Sequence, residues 1–238
     1  MNKLLLLTSV LLHGLLGISQ VQAQSPQPVN SAAVASMHND WLNRHESFNA
    51  IARKGGIDLL FVGDSITEGW RRNGLAIWTE RYAARKAANF GISGDRTEHL
   101  LWRLQNGNLD GISPKVAVVM IGTNNTWRNT PEQISEGIAA VVDQIRSRSP
   151  NTKVLLLGVF PRGEEANTPT RKKIAEINAL LAKLDDERNV FFIDIGERFL
   201  LEGGTLPKDV MPDGLHLSAT GYQIWADAME PKLAVLLK

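Results

Sequence analysis

The chain has 238 residues, 43% of them hydrophobic, with 26 Lys+Arg against 25 Asp+Glu, five His and no Cys. That length carries a full hydrophobic core, and a net charge of +1 argues against nucleic acid or an anionic membrane surface as the main partner. The lack of Cys excludes disulfides, thiolate zinc sites, iron–sulfur clusters and a cysteine nucleophile, so any chemistry uses oxygen and nitrogen groups.

The chain opens with Met1-Asn2-Lys3, an apolar stretch from Leu4 to Ile18 and a polar close ending at Ala23. This reads as a secretory signal peptide over 1–23, cleaved near Ala23. The apolar run is interrupted by His13 and Gly14 and falls short of the ~20 residues of a spanning helix. The mature protein is therefore expected to be exported, periplasmic or extracellular, without stable membrane insertion. Residues 24–30 read as a Ser/Pro/Gln linker and 31–238 as one domain.

From residue 31 onward two kinds of segment alternate. Helices are expected around 32–53, 76–86, 95–106, 131–148, 168–187 and 218–236, with start signals such as Thr130-Pro131-Glu132 and Ser218. Between them lie apolar runs bounded by Gly, Asn, Asp or Pro: Leu59 to Val62, Ala87 to Phe90, Val116 to Ile121, Val154 to Phe160 and Val190 to Ile193. These runs lack polar alternation, as strands covered on both faces do, so an α/β fold with a parallel sheet between helix layers is expected.

In such sheets ligands bind beyond the carboxyl ends of the strands. There the chain places Gly63-Asp64-Ser65, Gly91-Ile92-Ser93-Gly94-Asp95 and Gly122-Thr123-Asn124-Asn125, and before the last helix Asp213-Gly214-Leu215-His216. A serine hydroxyl is a poor nucleophile without a base, and His216 suits that role. Asp213, three residues earlier, can orient the imidazole and stabilise its charged form. The NH groups of Ser65 and Gly94 and the side-chain amide of Asn124 supply three donors for a tetrahedral oxyanion.

Each motif alone also has a plain structural meaning. Asp and Ser cap helices, Asn-Asn forms turns, and Asp-Gly-x-His is an ordinary loop. Their occurrence in order, each at a strand end or before the final helix, favours the catalytic reading. Trp70 and Trp127 closely follow two of the blocks and are candidate substrate contacts, with Asp64 and Asn125 beside them. The remaining tryptophans are expected in packing. His38 and His45 have no third ligand nearby, which leaves no metal site to assign.

These blocks resemble those of the SGNH or GDSL hydrolase superfamily. The surrounding text, including Phe61-Val62-Gly63-Asp64-Ser65-Ile66-Thr67 and Leu101-Trp102-Arg103-Leu104, is most similar to its platelet-activating factor acetylhydrolase-like esterase branch. That branch also carries Asn-Asn in its third block, where many relatives have Asn-Asp. The resemblance spans about 55–236. It implies a flavodoxin-like three-layer α/β/α sandwich with five parallel strands in the order 2-1-3-4-5. It further implies Ser65 as nucleophile, Asp213 and His216 as its partners, Gly94 and Asn124 in the oxyanion hole, no cofactor or metal, and association in pairs.

The expected function is hydrolysis of a small acyl ester, acetyl first, on an O-acetylated carbohydrate. A lipid-directed esterase is the alternative, and a catalytically silent carbohydrate-binding relative is the alternative of another class. A glycosidase using Asp64 and Asp213 would leave the Ser, Asn and His blocks unexplained. A flavodoxin-type nucleotide or phosphate binder is weakened by the lack of Gly-x-Gly-x-x-Gly and P-loop motifs.

Overall fold

A computed structural model describes residues 29–238; the expected signal peptide and most of the expected linker lie outside the described residues. Five strands form one parallel sheet: β1 (Leu59–Gly63), β2 (Ala87–Gly91), β3 (Val116–Met120), β4 (Lys153–Leu157) and β5 (Val190–Ile193). Their order is β2-β1-β3-β4-β5. Gly63, the last residue of β1, pairs with Gly91 of β2 on one side and Met120 of β3 on the other. The three following loops therefore leave the sheet side by side, where strand order reverses.

Alternation along each strand builds two cores. Leu60 and Val62 of β1, with Ala117 and Val119 of β3, pack under α1 (Leu42–Lys54), α4 (Thr97–Arg103), α5 (Pro131–Arg148) and α6 (Pro169–Leu181). Leu59 and Phe61, with Val116, Val118 and Met120, face the opposite layer. That layer comprises α2 (Ser65–Glu68), α3 (Leu75–Arg81) and α7 (Ala219–Leu236). Both faces are covered, which explains why the strands read as unbroken apolar runs.

Most elements fall close to the sequence expectation, and α5 coincides with it. The first helix differs. Instead of a helix over 32–53, short 3-10 turns occupy Ser31–Ala33 and Asn39–Trp41, and α1 begins only at Leu42. The cause is tertiary: Thr97 Oγ1 donates to the Ala32 carbonyl at 2.7 Å and the Ser36 NH to the Glu98 carbonyl at 3.0 Å. These bonds hold the segment across α4 in place of a helical ladder. β4 ends at Leu157, short of the expected Phe160, and α4 ends at Arg103 before an irregular stretch over 104–108.

Candidate active site

Ser65 opens α2, the single turn that follows β1. Asp64 caps that turn by accepting the Ile66 NH at 3.0 Å, and Ser65 takes the first helical position, where an NH has no partner within the helix. The turn packs tightly on β2: a Cβ on Gly91 would meet the Glu68 backbone nitrogen at 2.3 Å, so only glycine fits there.

His216 and Asp213 lie on the loop before α7. His216 Nε2 is 3.0 Å from Ser65 Oγ, and Nδ1 is 2.6 Å from Asp213 Oδ2. Asp213 Oδ1 accepts the NH groups of Leu215 at 3.0 Å and His216 at 2.7 Å. A three-residue spacing thus suffices, because the carboxylate folds its own loop around itself. Burial acts to raise the Asp213 carboxyl, but hydrogen bonds from the His216 ring and from the His216 and Leu215 amides outweigh it and hold the group below the usual carboxylate range. An ionised Asp213 accepts a hydrogen bond from Nδ1–H and leaves the Nε2 lone pair facing the Ser65 hydroxyl, the tautomer a general base needs.

Two loops carry the groups expected to serve as oxyanion donors. Gly94 adopts φ +82°, open to left-handed backbone that other residues resist, and its NH has no backbone partner among the described residues. Asn124 sits in the turn after β3 and donates from Nδ2 to the Asp95 carbonyl at 2.8 Å. One amide proton is thereby fixed and the other left free. Ser65, His216 and Ser93 share a pocket of about 210 Å³, whose wall also includes Glu68, Arg72, Asn73, Leu217 and Tyr222.

Three candidate substrate contacts are corrected. Asp64 is fully buried, and burial followed by the neighbouring Asp95 charge raises its carboxyl, which settles at about 7 after the Ile66 amide offsets part of the rise. It cannot touch a substrate, and a paired-carboxylate glycosidase loses one of its two groups. Trp70 is fully buried among Phe61, Tyr82, Tyr222 and Trp225. Asn125 is equally buried, accepting the Thr97 NH at 3.0 Å and donating to Glu98 Oε2 at 2.9 Å. Trp127 alone of the four is exposed, at 70%, with the Arg162 guanidinium 4.9 Å from its ring centre.

Several residues that shape the site went unassigned in the sequence. Arg103 is completely buried and holds Asp95 Oδ2 at 2.6 Å, bracing the loop that carries Gly94. Arg162 lies in the field of Asp64 and Asp213, and the adjacent Gly163 NH donates to the Gly214 carbonyl at 2.8 Å. Lys173 donates to the Thr126 and Asn129 carbonyls at 2.9 and 3.0 Å and fastens the loop beyond Asn124. The eight-residue step from Asp95 to Arg103 carries no local signal for such a pair.

Comparison with known proteins adds four findings. Residues 61–224 match the model of the GDSL-like lipase/acylhydrolase family. The rat platelet-activating factor acetylhydrolase IB subunit alpha2 is 41% identical over 200 residues, covering 83% of this chain and 86% of the relative. Among solved structures, a GDSL-like lipase from Bacteroides thetaiotaomicron superposes with a TM-score of 0.65 at 22% identity, covering 81% of this chain and 97% of that one. An acetylxylan esterase from Geobacillus stearothermophilus gives 0.60 at 21%, covering 75% and 94%. Both structures share the fold.

Proposed function

The chain belongs to the GDSL-like lipase/acylhydrolase family and is a carboxylic ester hydrolase, and from that premise we propose that it releases a small acyl group, acetyl first, through an acyl-enzyme on Ser65. The carrying observation is the position of His216, with one ring nitrogen 3.0 Å from Ser65 Oγ and the other 2.6 Å from Asp213. Ser65 Oγ attacks the ester carbonyl as its proton passes to His216 Nε2. The oxyanion gathers between the NH groups of Ser65 and Gly94 and the free amide proton of Asn124. As the intermediate collapses, His216 returns the proton to the leaving alcohol. Water then repeats the sequence and frees the acid. Asp213 keeps the ring oriented and offsets its charge in both halves.

The substrate is an O-acetylated carbohydrate, and the leaving group is the sugar hydroxyl that carried the acetyl. The group that His216 protonates departs on the histidine side, and the pocket there is walled by Glu68, Arg72, Asn73 and Ser93, with Leu217 and Tyr222 as its apolar side chains. Such walls match hydroxyl groups better than an alkyl chain. A lipid-directed esterase is the second reading, favoured by the 41% identity to a platelet-activating factor acetylhydrolase subunit. Its work is done outside the cytoplasm, after removal of the segment ending near Ala23; the leader-like pattern of the first 23 residues supports this.

Acetylated xylooligosaccharides, p-nitrophenyl esters of increasing chain length and acetylated phospholipids, assayed side by side, test the proposal. It expects short esters and acetylated sugars to turn over and long acyl chains to fail. Preference for the phospholipid transfers the assignment to the second reading.

A further inference from the structure

Glu68 is the last residue of α2, one turn after Ser65, and only 6% exposed. A carboxylate at that depth is costly unless its oxygens are matched, and here they are. Oε2 accepts the Ser93 NH at 2.7 Å, while Oε1 lies 2.7 Å from Arg44 Nη2 and 3.4 Å from Arg72 Nη2. The two arginines reach in from α1 and from the segment after α2, with side chains 42% and 74% exposed. They offset the charge. The Ser93 bond does something else, because Ser93 precedes Gly94.

The loop beyond β2 is pinned on both sides of Gly94. Behind it the Asp95 carbonyl accepts from Asn124, and ahead of it the Ser93 NH is held by Glu68. Gly94 itself is exposed, has positive φ and would meet nothing within 4 Å if it carried a Cβ. Packing does not fix it, so its two neighbours must. One of those anchors stands on the same four-residue turn as the nucleophile, a turn held against β2 by the Asn89 side-chain amide on the Thr67 carbonyl at 2.9 Å.

We infer that Glu68 is a positioning residue of the oxyanion hole, which sets the Gly94 NH against Ser65 by holding the Ser93 amide. This rests on the reading of Ser65 as the nucleophile of an ester hydrolase. The relevant property is the reach of an acceptor oxygen to Ser93, and the charge is secondary. Misplacing a donor by a fraction of an ångström weakens the bond made in the transition state and leaves ground-state binding almost unchanged.

Three substitutions separate reach from charge. Glu68→Gln keeps the length and an acceptor oxygen but loses the charge. Glu68→Asp keeps the charge but is one methylene short. Glu68→Met keeps the length without an acceptor of comparable strength. With p-nitrophenyl acetate as substrate, the inference expects Glu68→Gln to keep kcat within about threefold, while Glu68→Asp and Glu68→Met lose about tenfold or more at unchanged KM. A residue that merely supported the fold would give rates that follow the thermal midpoints of the variants instead of this order. Wild-type kcat in folded Glu68→Asp overturns the inference, as does a Glu68→Gln rate as low as that of Glu68→Asp. If Glu68→Met does not fold, the Gln and Asp pair decides. Failure of the underlying reading looks different: Ser65→Ala would then hydrolyse the ester as fast as the wild type.

Discussion

Asn124 donates its side-chain amide to the Asp95 carbonyl at 2.8 Å, joining the loop after β3 to the loop after β2. The same bond fixes the amide to which the proposed mechanism assigns an oxyanion contact. Asn124→Ala should therefore lower kcat on p-nitrophenyl acetate by about 10² or more, with little change in thermal midpoint. An unchanged kcat would remove Asn124 from the oxyanion hole.

Asp64 makes stability depend on pH in an unusual direction. Its folded carboxyl titrates at about 7, raised chiefly by burial, against an ordinary value of 3.8. Between about pH 4 and pH 7 the folded state thus binds more protons than the unfolded state. The contribution of Asp64 to stability is greatest at low pH and is lost as pH rises through about 7. Asp64→Asn keeps an oxygen for the Ile66 NH and carries no charge to bury. Relative to wild type, its thermal midpoint should rise from pH 5 to about pH 7 and level off above it. A difference that does not vary with pH would contradict the assignment.

Arg103 and Asp95 form a pair with no solvent exposure on either side chain, and Arg103 also donates to Asn108 Oδ1 at 2.7 Å. Arg103→Ala strands a buried carboxylate and should cost about 3–5 kcal/mol in a urea unfolding titration. A loss below about 1 kcal/mol would show that Asp95 finds another partner or a proton.

The strands and the blocks that the fold brings together were legible because both depend on local pattern. Apolar runs mark strands; Ser65, Gly94 and Asn124 each follow such a run, and His216 stands just before the last helix. What was not legible depends on contacts distant in sequence. The segment before α1 has helical composition, but bonds to Thr97 and Glu98 hold it out of a helix. Trp70 and Trp127 follow their blocks at similar distances, and only the fold turns one ring into the core beside Phe61 and the other to solvent. Glu68 gains its meaning from Ser93, 25 residues away.

Trp127 is the exposed candidate contact, backed by the Arg162 guanidinium on one face. A sugar ring can stack on an indole and accept hydrogen bonds from a guanidinium, whereas a quaternary ammonium headgroup would meet a like charge. Trp127→Ala should leave p-nitrophenyl acetate turnover unchanged and reduce kcat/KM on acetylated xylooligosaccharides about fivefold, the scale of one aromatic contact. Equal values on the sugar substrate would remove Trp127 from substrate binding.

The central claim is that Ser65 carries the acyl group. Purified wild-type protein and Ser65→Ala, compared on p-nitrophenyl acetate, test it most directly. The account predicts steady turnover by the wild type and a loss of at least about 10³-fold in the variant, the scale on which triad members act. A Ser65→Ala protein that retains the wild-type rate would contradict it.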